Sequence, residues 1–524
     1  MNQADFTFID LFAGIGGFKL ALSANGGKCI GFSEVDKTAI SYYCKNYHIS
    51  DELNFGDVRE IKELPKHDIM TAGVPCQSWS IAGKNLGFDD DRGQLWNDTL
   101  YLLNQSQPKA FIFENVKGLA DPRNKIALEH ILEKIRTAGF YANFYVINSH
   151  DYGVAQNRIR VYIIGFRNRE HYYRFKLPKP VSKKVMLCDI LGLKKNSLSL
   201  ASEEPKDLFG QPILRCSRPM SLSSKNGFND YFLFNDLRNG KTTIHSWDIA
   251  KTSQRQKEIC LMLLRSRRKR IYGPLDGNPL SISHFQSLDS SIEVGELNEL
   301  VEMGILKPVD YRYEIVQSDI EPLTEQERIV LDNAVDNYLI IDRLKTQKKL
   351  KVNRIDINSV IQSLEQKGAI RCIEKRYDFK NGKISSGING INRIFMPTSD
   401  VFPTLVASDS NDYVALANLS PSSHKSYKEQ FLKDIYFKKN YRKITKPEAC
   451  RIQGFPSSFE LPEERSKWMK LIGNSVSVPV IDQLIKAIIK TGVFETTLPK
   501  ENNSSEICVV NSRDIKVKSP LISP

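Results

Sequence analysis

From Phe6 to the neighbourhood of Phe166, short apolar runs alternate with stretches whose apolar positions recur every three to four residues. Residues 6–12 form a run of the first kind and predict a buried strand. Ala13-Gly14-Ile15-Gly16-Gly17 follows, then helical spacing from Phe18 to about Ala24. Lys28–Ser33 predicts a second strand, Lys37–Tyr47 a helix, and Asp68–Ala72 a third strand. The pattern continues with a helix over Leu95–Leu103, a strand over Lys109–Phe113, a helix over Ile126–Ala138, and strands over Tyr141–Ile147 and Val161–Gly165. Such alternation implies an α/β fold with a mostly parallel sheet and right-handed crossovers.

In these sheets ligands bind beyond the carboxyl ends of the strands. Glu34, Cys76 and Glu114 each follow a predicted strand, so all three should share one rim. The glycine turn brings backbone N–H groups and a helix N-terminus to the same rim. An acid about 20 residues beyond such a turn suits ribose hydroxyls. The spacing here is Gly-x-Gly-Gly, which leaves a structural tight turn open beside an adenosine-like cofactor. Cys76 closes Pro75-Cys76 and opens a polar, glycine-punctuated loop; a lone intracellular cysteine is more often a small buried hydrophobe.

From about Lys183 to Met396 the rhythm is lost. Leu297-x-x-Leu300-x-x-x-Gly304-x-Leu306 resembles Ile361-x-x-Leu364-x-x-x-Gly368-x-Ile370, each followed by a strand-like run (Tyr311–Val316 and Arg371–Phe379). Amphipathic helix, glycine stop and strand is how a winged helix-turn-helix reads, and ordinary helix–strand packing reads the same way. From Asn392 the earlier character returns, ending in an apolar helix over Val480–Ile489. The parts are therefore 1–180, 181–395, 396–495, and a tail over 496–524 that lacks aromatic residues and reads as disordered.

Composition narrows the class. The net charge of +13 suits a polyanionic partner, and a solvated basic surface would account for it equally. The charge is locally dense: Lys251–Tyr272 carries eight Lys or Arg against one Glu. Its end, Arg265, Arg267, Arg268, Lys269 and Arg270, is read as a phosphate-contact face on DNA. The nine cysteines are scattered singly, so neither a disulfide framework nor a zinc site is expected. No apolar run approaches bilayer length, and Asp5 and Asp10 interrupt any signal-peptide pattern; a cytoplasmic protein without membrane contact is expected.

Six motifs in order make the chain resemble the 5-cytosine DNA methyltransferases of bacterial restriction–modification systems. They are Asp-Leu-Phe-Ala-Gly-x-Gly-Gly at 10–17, Pro-Cys-Gln at 75–77, Glu-Asn-Val at 114–116, Gln-x-Arg-x-Arg at 156–160, Arg-x-Gln-Gly-Phe-Pro at 451–456 and Gly-Asn-Ser-Val at 473–476. The resemblance spans the front third of the chain and a shorter block near its end. It implies S-adenosyl-L-methionine as cofactor, no metal, and a Rossmann-like catalytic domain with an inserted target-recognition domain. It implies that Phe12 packs on the cofactor, with the backbone of Ile15 and Gly16 near its methionine part. Glu34 would hold the ribose and Asp57 the adenine amine. Val35, Val58, Pro75 and Leu95 would belong to the same pocket, and Asn474 and Val476 would close it. Cys76 would be the nucleophile, Glu114 the acid at the base, and Arg158 and Arg160 its supports. Gln77 and Ser80 would touch DNA.

The chemistry requires such groups. A thiolate adding to C6 of cytosine makes C5 a carbon nucleophile, and a carboxylic acid at N3 keeps charge off the ring. A base in a duplex has to be flipped out to be reached. The expected substrate is double-stranded DNA at a specific sequence, with a cognate endonuclease acting separately and the enzyme monomeric. The long insertion between the two matching blocks departs from the smallest family members, and no residue in it is assigned to a base by motif. Methylation of cytosine in RNA is the alternative. A nicotinamide oxidoreductase leaves Cys76, Glu114 and the arginines without roles, and a non-catalytic DNA-binding regulator leaves the nucleophile and acid intact without a use.

Overall fold

The computed structural model describes residues 5–75, 91–182, 185–193, 231–233, 245–275, 277–316, 322–347, 350, 355–380, 393–399, 401–410, 412–419 and 424–495. Cys76, Gln77, Ser80 and the tail over 496–524 lie outside the described residues.

The front of the chain runs β1 (Phe6–Leu11), α1 (Gly17–Ser23), β2 (Gly27–Ser33), α2 (Lys37–Tyr47), β3 (Ile69–Gly73), α3 (Asp91–Ser106), β4 (Ala110–Val116), α4 (Lys125–Thr137), β5 (Tyr141–Asn148), β6 (Gln156–Asn157) and β7 (Ile159–Phe166). These strands, β6 excepted, form one six-stranded sheet in the order β2-β1-β3-β4-β7-β5. The pairs β1–β2, β1–β3 and β3–β4 are parallel. The pairs β4–β7 and β5–β7 are antiparallel. The sheet is thus parallel over four strands, and an antiparallel β5–β7 pair closes one edge. Alternation along the chain could not announce this, because strand direction is decided by pairing. The sheet is apolar on both faces: Phe8, Ile112 and Ile164 belong to one core, Ile9, Phe113 and Ile163 to the other. That is why its central strands read as continuous apolar runs.

Most predicted ends shift by a residue or two, and three elements differ in ways that bear on the site. β4 runs through Val116, so Glu114 sits inside the strand, opposite Tyr162 of β7, and does not follow it. β7 starts at Ile159, so Arg160 is a strand residue and Arg158 is not. α3 spans both sides of the predicted Leu95–Leu103 helix.

The chain continues through α5 (Arg169–Arg174), α6 (Leu187–Leu191), β8 (Tyr231–Leu233) and α7 (Ser246–Ile249). The insert then comprises α8 (Gln254–Ser266), α9 (Ile282–Leu288), α10 (Val294–Glu302), β9 (Leu306–Ile315), α11 (Glu325–Leu331), β10 (Tyr338–Ile340), α12 (Ile341–Thr346), α13 (Ile357–Gln366) and β11 (Ile370–Phe379). It has two cores of its own, one around Leu263 and Leu297, the other around Leu344 and Leu364. β12 (Arg393–Phe395), β13 (Phe402–Pro403), β14 (Asp412–Ala415), α14 (His424–Gln430) and β15 (Tyr441–Arg442) follow. A four-stranded sheet ordered β15-β14-β12-β8 joins residues on the two sides of the insert.

The last three helices are α15 (Lys446–Gln453), α16 (Arg465–Asn474) and α17 (Val478–Ile489). They share the front sheet's core: Ile452, Ile472, Ile481 and Leu484 pack in one cluster with Phe8 and Phe18. Asn25 donates to Asp482 across 2.8 Å, and Phe6 stacks on Phe494 at 4.4 Å. Residues 465–489 are together long and apolar enough to cross a membrane by length and composition. Ser475–Ser477 interrupts them, and both helices bury their apolar faces in this core.

Candidate active site

The site is assembled at the carboxyl ends of β1 to β4. β1 ends in Leu11, and the chain turns through Phe12, whose φ of 53° is left-handed. A non-glycine residue held there is strained and persists only where its surroundings determine it. The turn is pinned by Ala13 N donating to Ser33 O (2.9 Å) and by Gly16 N donating to Ala13 O (2.8 Å). α1 then begins at Gly17, where a Cβ would come within 2.7 Å of Val476 and 2.8 Å of Ser475. Only a residue without a side chain lets the C-terminal segment approach this turn.

Glu34 follows β2. Its Oε2 accepts from Gly14 N (2.8 Å), and its Oε1 accepts from Val35 N (2.8 Å) and Asp36 N (2.9 Å). Asn54 brackets its backbone, accepting from Glu34 N (3.0 Å) and donating to Glu34 O (3.0 Å). Three N–H groups fix the carboxylate and leave it lone pairs for a further donor. Beside it Val35 is 64% exposed, an apolar side chain with an open face. Asp57 lies across the opening, gripped by the Arg59 guanidinium at 3.0 and 3.1 Å from Nε. That cation holds the Asp57 carboxyl below its ordinary range.

Glu114 occupies the other end of the site, buried on β4. Arg160 Nε stands 3.0 Å from Glu114 Oε1. The contact is one of charge, since no aligned hydrogen bond from the described residues reaches that buried oxygen. Next to it Asn115 donates to Val74 O (3.2 Å), tying the end of β4 to the end of β3, two residues before Cys76.

Arg158 is placed differently from the expectation. It is 2% exposed, and its guanidinium donates to Leu405 O (3.2 Å), Gly473 O (3.1 Å) and Ser475 O (2.7 Å). Arg160 supports Glu114, whereas Arg158 clamps the C-terminal segment to the sheet. A buried amide chain does the same work: Gln156 donates to Gln453 (2.7 Å), and Gln453 donates to Ser475 O (2.6 Å). β6 meanwhile pairs with β13, Gln156 opposite Phe402. The motifs at 156–160, 451–456 and 473–476 therefore meet in one polar network although the first is separated from the other two by more than half the chain. Their polar residues in apolar surroundings were the available signal for Gln156, Gln453 and Asn115, none of which the sequence reading assigned.

One cavity of about 590 Å³ is lined by both ends: Phe12, Glu34, Val35, Asp57, Val58, Pro75, Leu95, Glu114, Arg158, Arg160, Asn474 and Val476. That size is typical of a small-molecule site. Two predicted residues are not on its wall. Ile15 is fully buried in the core, and Gly16 caps α1 behind the turn; Gly14, Gly17 and Phe18 line the cavity instead. The donor set fits S-adenosylmethionine. A fixed carboxylate at Glu34 would suit a diol, exposed Val35 with Val58 and Leu95 a flat ring, and Asp57 an amine.

Beneath the turn, Asp10 is wholly buried. Thr71 Oγ1 donates to its Oδ1 (2.9 Å), and its Oδ2 has no hydrogen-bond partner among the described residues. Burial pushes its pKa up to about 8, so it is protonated near neutrality.

Arg267 needs correction as a DNA contact. It is buried, 2.9 Å from Asp378 and over the ring of Phe379, and so holds the insert together. Arg265, Arg268, Lys269 and Arg270 are exposed.

Among the described residues no group of His, Cys, Asp or Glu could hold a metal ion. The sequence profile of C-5 cytosine-specific DNA methylases matches residues 6–367 and 342–490. The chain is 39% identical over 496 residues to the Type II methyltransferase M.HgiBI of Herpetosiphon aurantiacus, covering 94% of this chain and 99% of that one. M.NlaIV of Neisseria lactamica is 28% identical over 509 residues, covering 92% and 99%. M.HpaII of Haemophilus parainfluenzae is 44% identical over 191 residues, which are 35% of this chain and 52% of its own. Among solved structures, the Entamoeba histolytica methyltransferase EhMeth covers 92% of this chain and 98% of its own at 13% identity and a TM-score of 0.44.

Proposed function

The chain belongs to the C-5 cytosine-specific DNA methylase family and methylates cytosine C5 in double-stranded DNA with S-adenosylmethionine, and we propose that Cys76, Glu114 and Arg160 carry the reaction. The observation behind this assignment is the single cavity that reaches from Glu34 to Glu114. When bound, S-adenosylmethionine supplies the methyl group as a sulfonium substituent. Glu34 binds the ribose, Asp57 the adenine amine, and Phe12, Asn474 and Val476 border the remainder. The Cys76 thiolate adds to C6 of a flipped cytosine, forming an S–C6 bond. Glu114 donates to N3, so the electron pair released into the ring is held at C5 and charge does not build at N3. Arg160 stands against the buried Oε1, which leaves the other carboxyl oxygen to face the base. C5 takes the methyl group, loses its proton to a base, and the S–C6 bond breaks to restore the thiolate. Arg158 is a positioning residue here, because its three carbonyl partners fix the segment that carries Asn474.

The protein acts in restriction–modification, and the relatives that span it end to end are named Type II methyltransferases. That supports DNA over RNA as substrate. A cognate endonuclease acts separately on the same sequence, and the methylase works as a monomer, since one cavity serves one base. Residues 1–180 and 396–495 make the catalytic part, and 181–395 the recognition part.

Bisulfite sequencing of DNA from cells expressing the chain tests the assignment. Methylcytosine at one recurring sequence, absent with Cys76→Ala, is expected. Turnover near wild type in Cys76→Ala would refute the nucleophile.

A further inference from the structure

The insert is built from two like halves. Each runs helix, short strand, helix, helix, glycine, long strand. The first is α8, Leu280, α9, α10, Gly304 and β9; the second is α11, β10, α12, α13, Gly368 and β11. Both glycines are left-handed, at φ 71° and 74°. β9 and β11 pair antiparallel, with Leu306 opposite Phe379 and Ile315 opposite Ile370, so an approximate twofold axis passes between them. Each half also lends its long strand to the other: Leu280 bridges Tyr377 of β11, and β10 pairs with β9. This is the arrangement of two winged helix-turn-helix units sharing one sheet, with α10 and α13 in the recognition-helix position.

The halves match in shape, and the stretches that carry α9–α10 and α12–α13 differ in charge. Residues 282–304 contain five acids and no Lys or Arg. Residues 341–367 contain seven Lys or Arg and three acids. Of those three, Asp342 is buried, and Asp356 caps α13 by accepting from Asn358 N and Ser359 N. The acids of the first half serve internal contacts: Arg255 of α8 binds Asp289 (2.5 Å) and Glu296 (2.8 Å), and Gln256 binds Glu299 (3.2 Å). With the two glycines aligned, Asn358, Gln362 and Gln366 of α13 correspond to Val294, Asn298 and Glu302 of α10, and all six are exposed. Among the described residues no hydrogen bond engages the amides of Asn358 and Gln362, whereas Asn298 accepts from Tyr377 (3.2 Å).

A phosphate backbone repels the carboxylates of α10 and attracts the basic stretch that carries α13. Asn and Gln amides are the side chains that pair two-fold with adenine in the major groove. We propose that α13, and not its twin α10, enters the major groove of the substrate duplex, and that Asn358 and Gln362 read bases there. The first half then acts as a brace, locked to the second through the shared sheet and the Arg267–Asp378 pair. This rests on the reading of the chain as a DNA methylase.

Selection of bound duplexes from a random pool by the full-length chain tests the proposal without requiring catalysis. Wild type should enrich one sequence. Asn358→Ala with Gln362→Ala should lower preference at one or two adjacent base pairs by about tenfold or more, with cofactor binding unchanged. Gln362→Glu, exposed and close in size, provides a second variant and should lower it at one of them. Asn298→Ala should leave the sequence intact. Unchanged selectivity in both α13 variants, relaxed selectivity in Asn298→Ala, or no enrichment by wild type would overturn the proposal. Methyl transfer to the selected duplex is measured separately; its absence would count against the reaction and leave the α13 assignment standing.

Discussion

The two ends of the cavity hold their carboxylates by different means. At one end Glu34 is fixed by backbone N–H groups from the residues around β1 and β2. At the other, Glu114 is met by a side chain, Arg160, and the segment around Asn474 that Arg158 and Gln453 hold in place lines the cavity shared by both ends. Backbone donors cannot rotate away, so the Glu34 carboxylate is fixed by the strands and turn that carry it. The base end depends on a side-chain contact, and both ends share a wall from the far end of the chain. The first carboxylate is therefore held by local backbone, the second by a side chain, and the cavity between them is completed when the C-terminal helices are docked.

Breaking the clamp tests this contrast most severely. Arg158→Ala takes the donor from the buried carbonyls of Leu405 and Gly473, each worth about 1–3 kcal/mol, while Ser475 O keeps Gln453; it should cost roughly 2–5 kcal/mol in a denaturant titration. Methyl transfer should fall with it. If the variant is as stable as wild type, the C-terminal segment is held by other means. At the opposite end, Glu34→Ala removes the ribose acceptor and should weaken cofactor binding about 10- to 100-fold. DNA binding should be unchanged, and calorimetry with each ligand separates the two.

Asp10 lies under the cofactor end and sharpens the comparison through pH. Its pKa rises from 3.8 to about 8 on folding, so the folded state keeps a proton that the unfolded state has released. Its contribution to stability is therefore greatest at low pH and declines as pH rises through the interval from about 4 to 8. Asp10→Asn cannot ionise; it should raise the melting temperature at pH 8 relative to wild type and flatten the decline. An unaltered pH profile would show that Asp10 is not the titrating group. The smallest effect is expected from Arg59→Ala. Its guanidinium is largely exposed and competes for Asp57, so its loss should tighten cofactor binding by no more than a few-fold, within the range of exposed ion pairs.

Much of the front sheet was legible in the chain, because burial on both faces writes continuous apolar strands and each crossover helix writes its own period. The β5–β7 edge was not, since direction and neighbour are settled by pairing and leave no local mark. Glu34 and Asp57 could be placed on the cavity from motif and spacing. Ile15 could not be told from a wall residue, because the turn's backbone and the side chain it carries point to different places. Arg158 and Arg160 look equivalent in sequence, yet β7 starts between them, and one guanidinium goes to the C-terminal carbonyls and the other to Glu114. Arg267 reads as one of five cations in a run, and only its pairing with Asp378 withdraws it from solvent.

By itself, then, the amino-acid sequence determined the α/β rhythm, the glycine turn, the family and the chemistry the chain carries, since each is a matter of local pattern or residue type. Tertiary structure alone decided which arginine serves the acid, how three distant motifs close one cavity, and how the two halves of the insert share a sheet. Those depend on contacts between residues far apart in the chain, where geometry and exclusion of water, rather than local preference, select the partner.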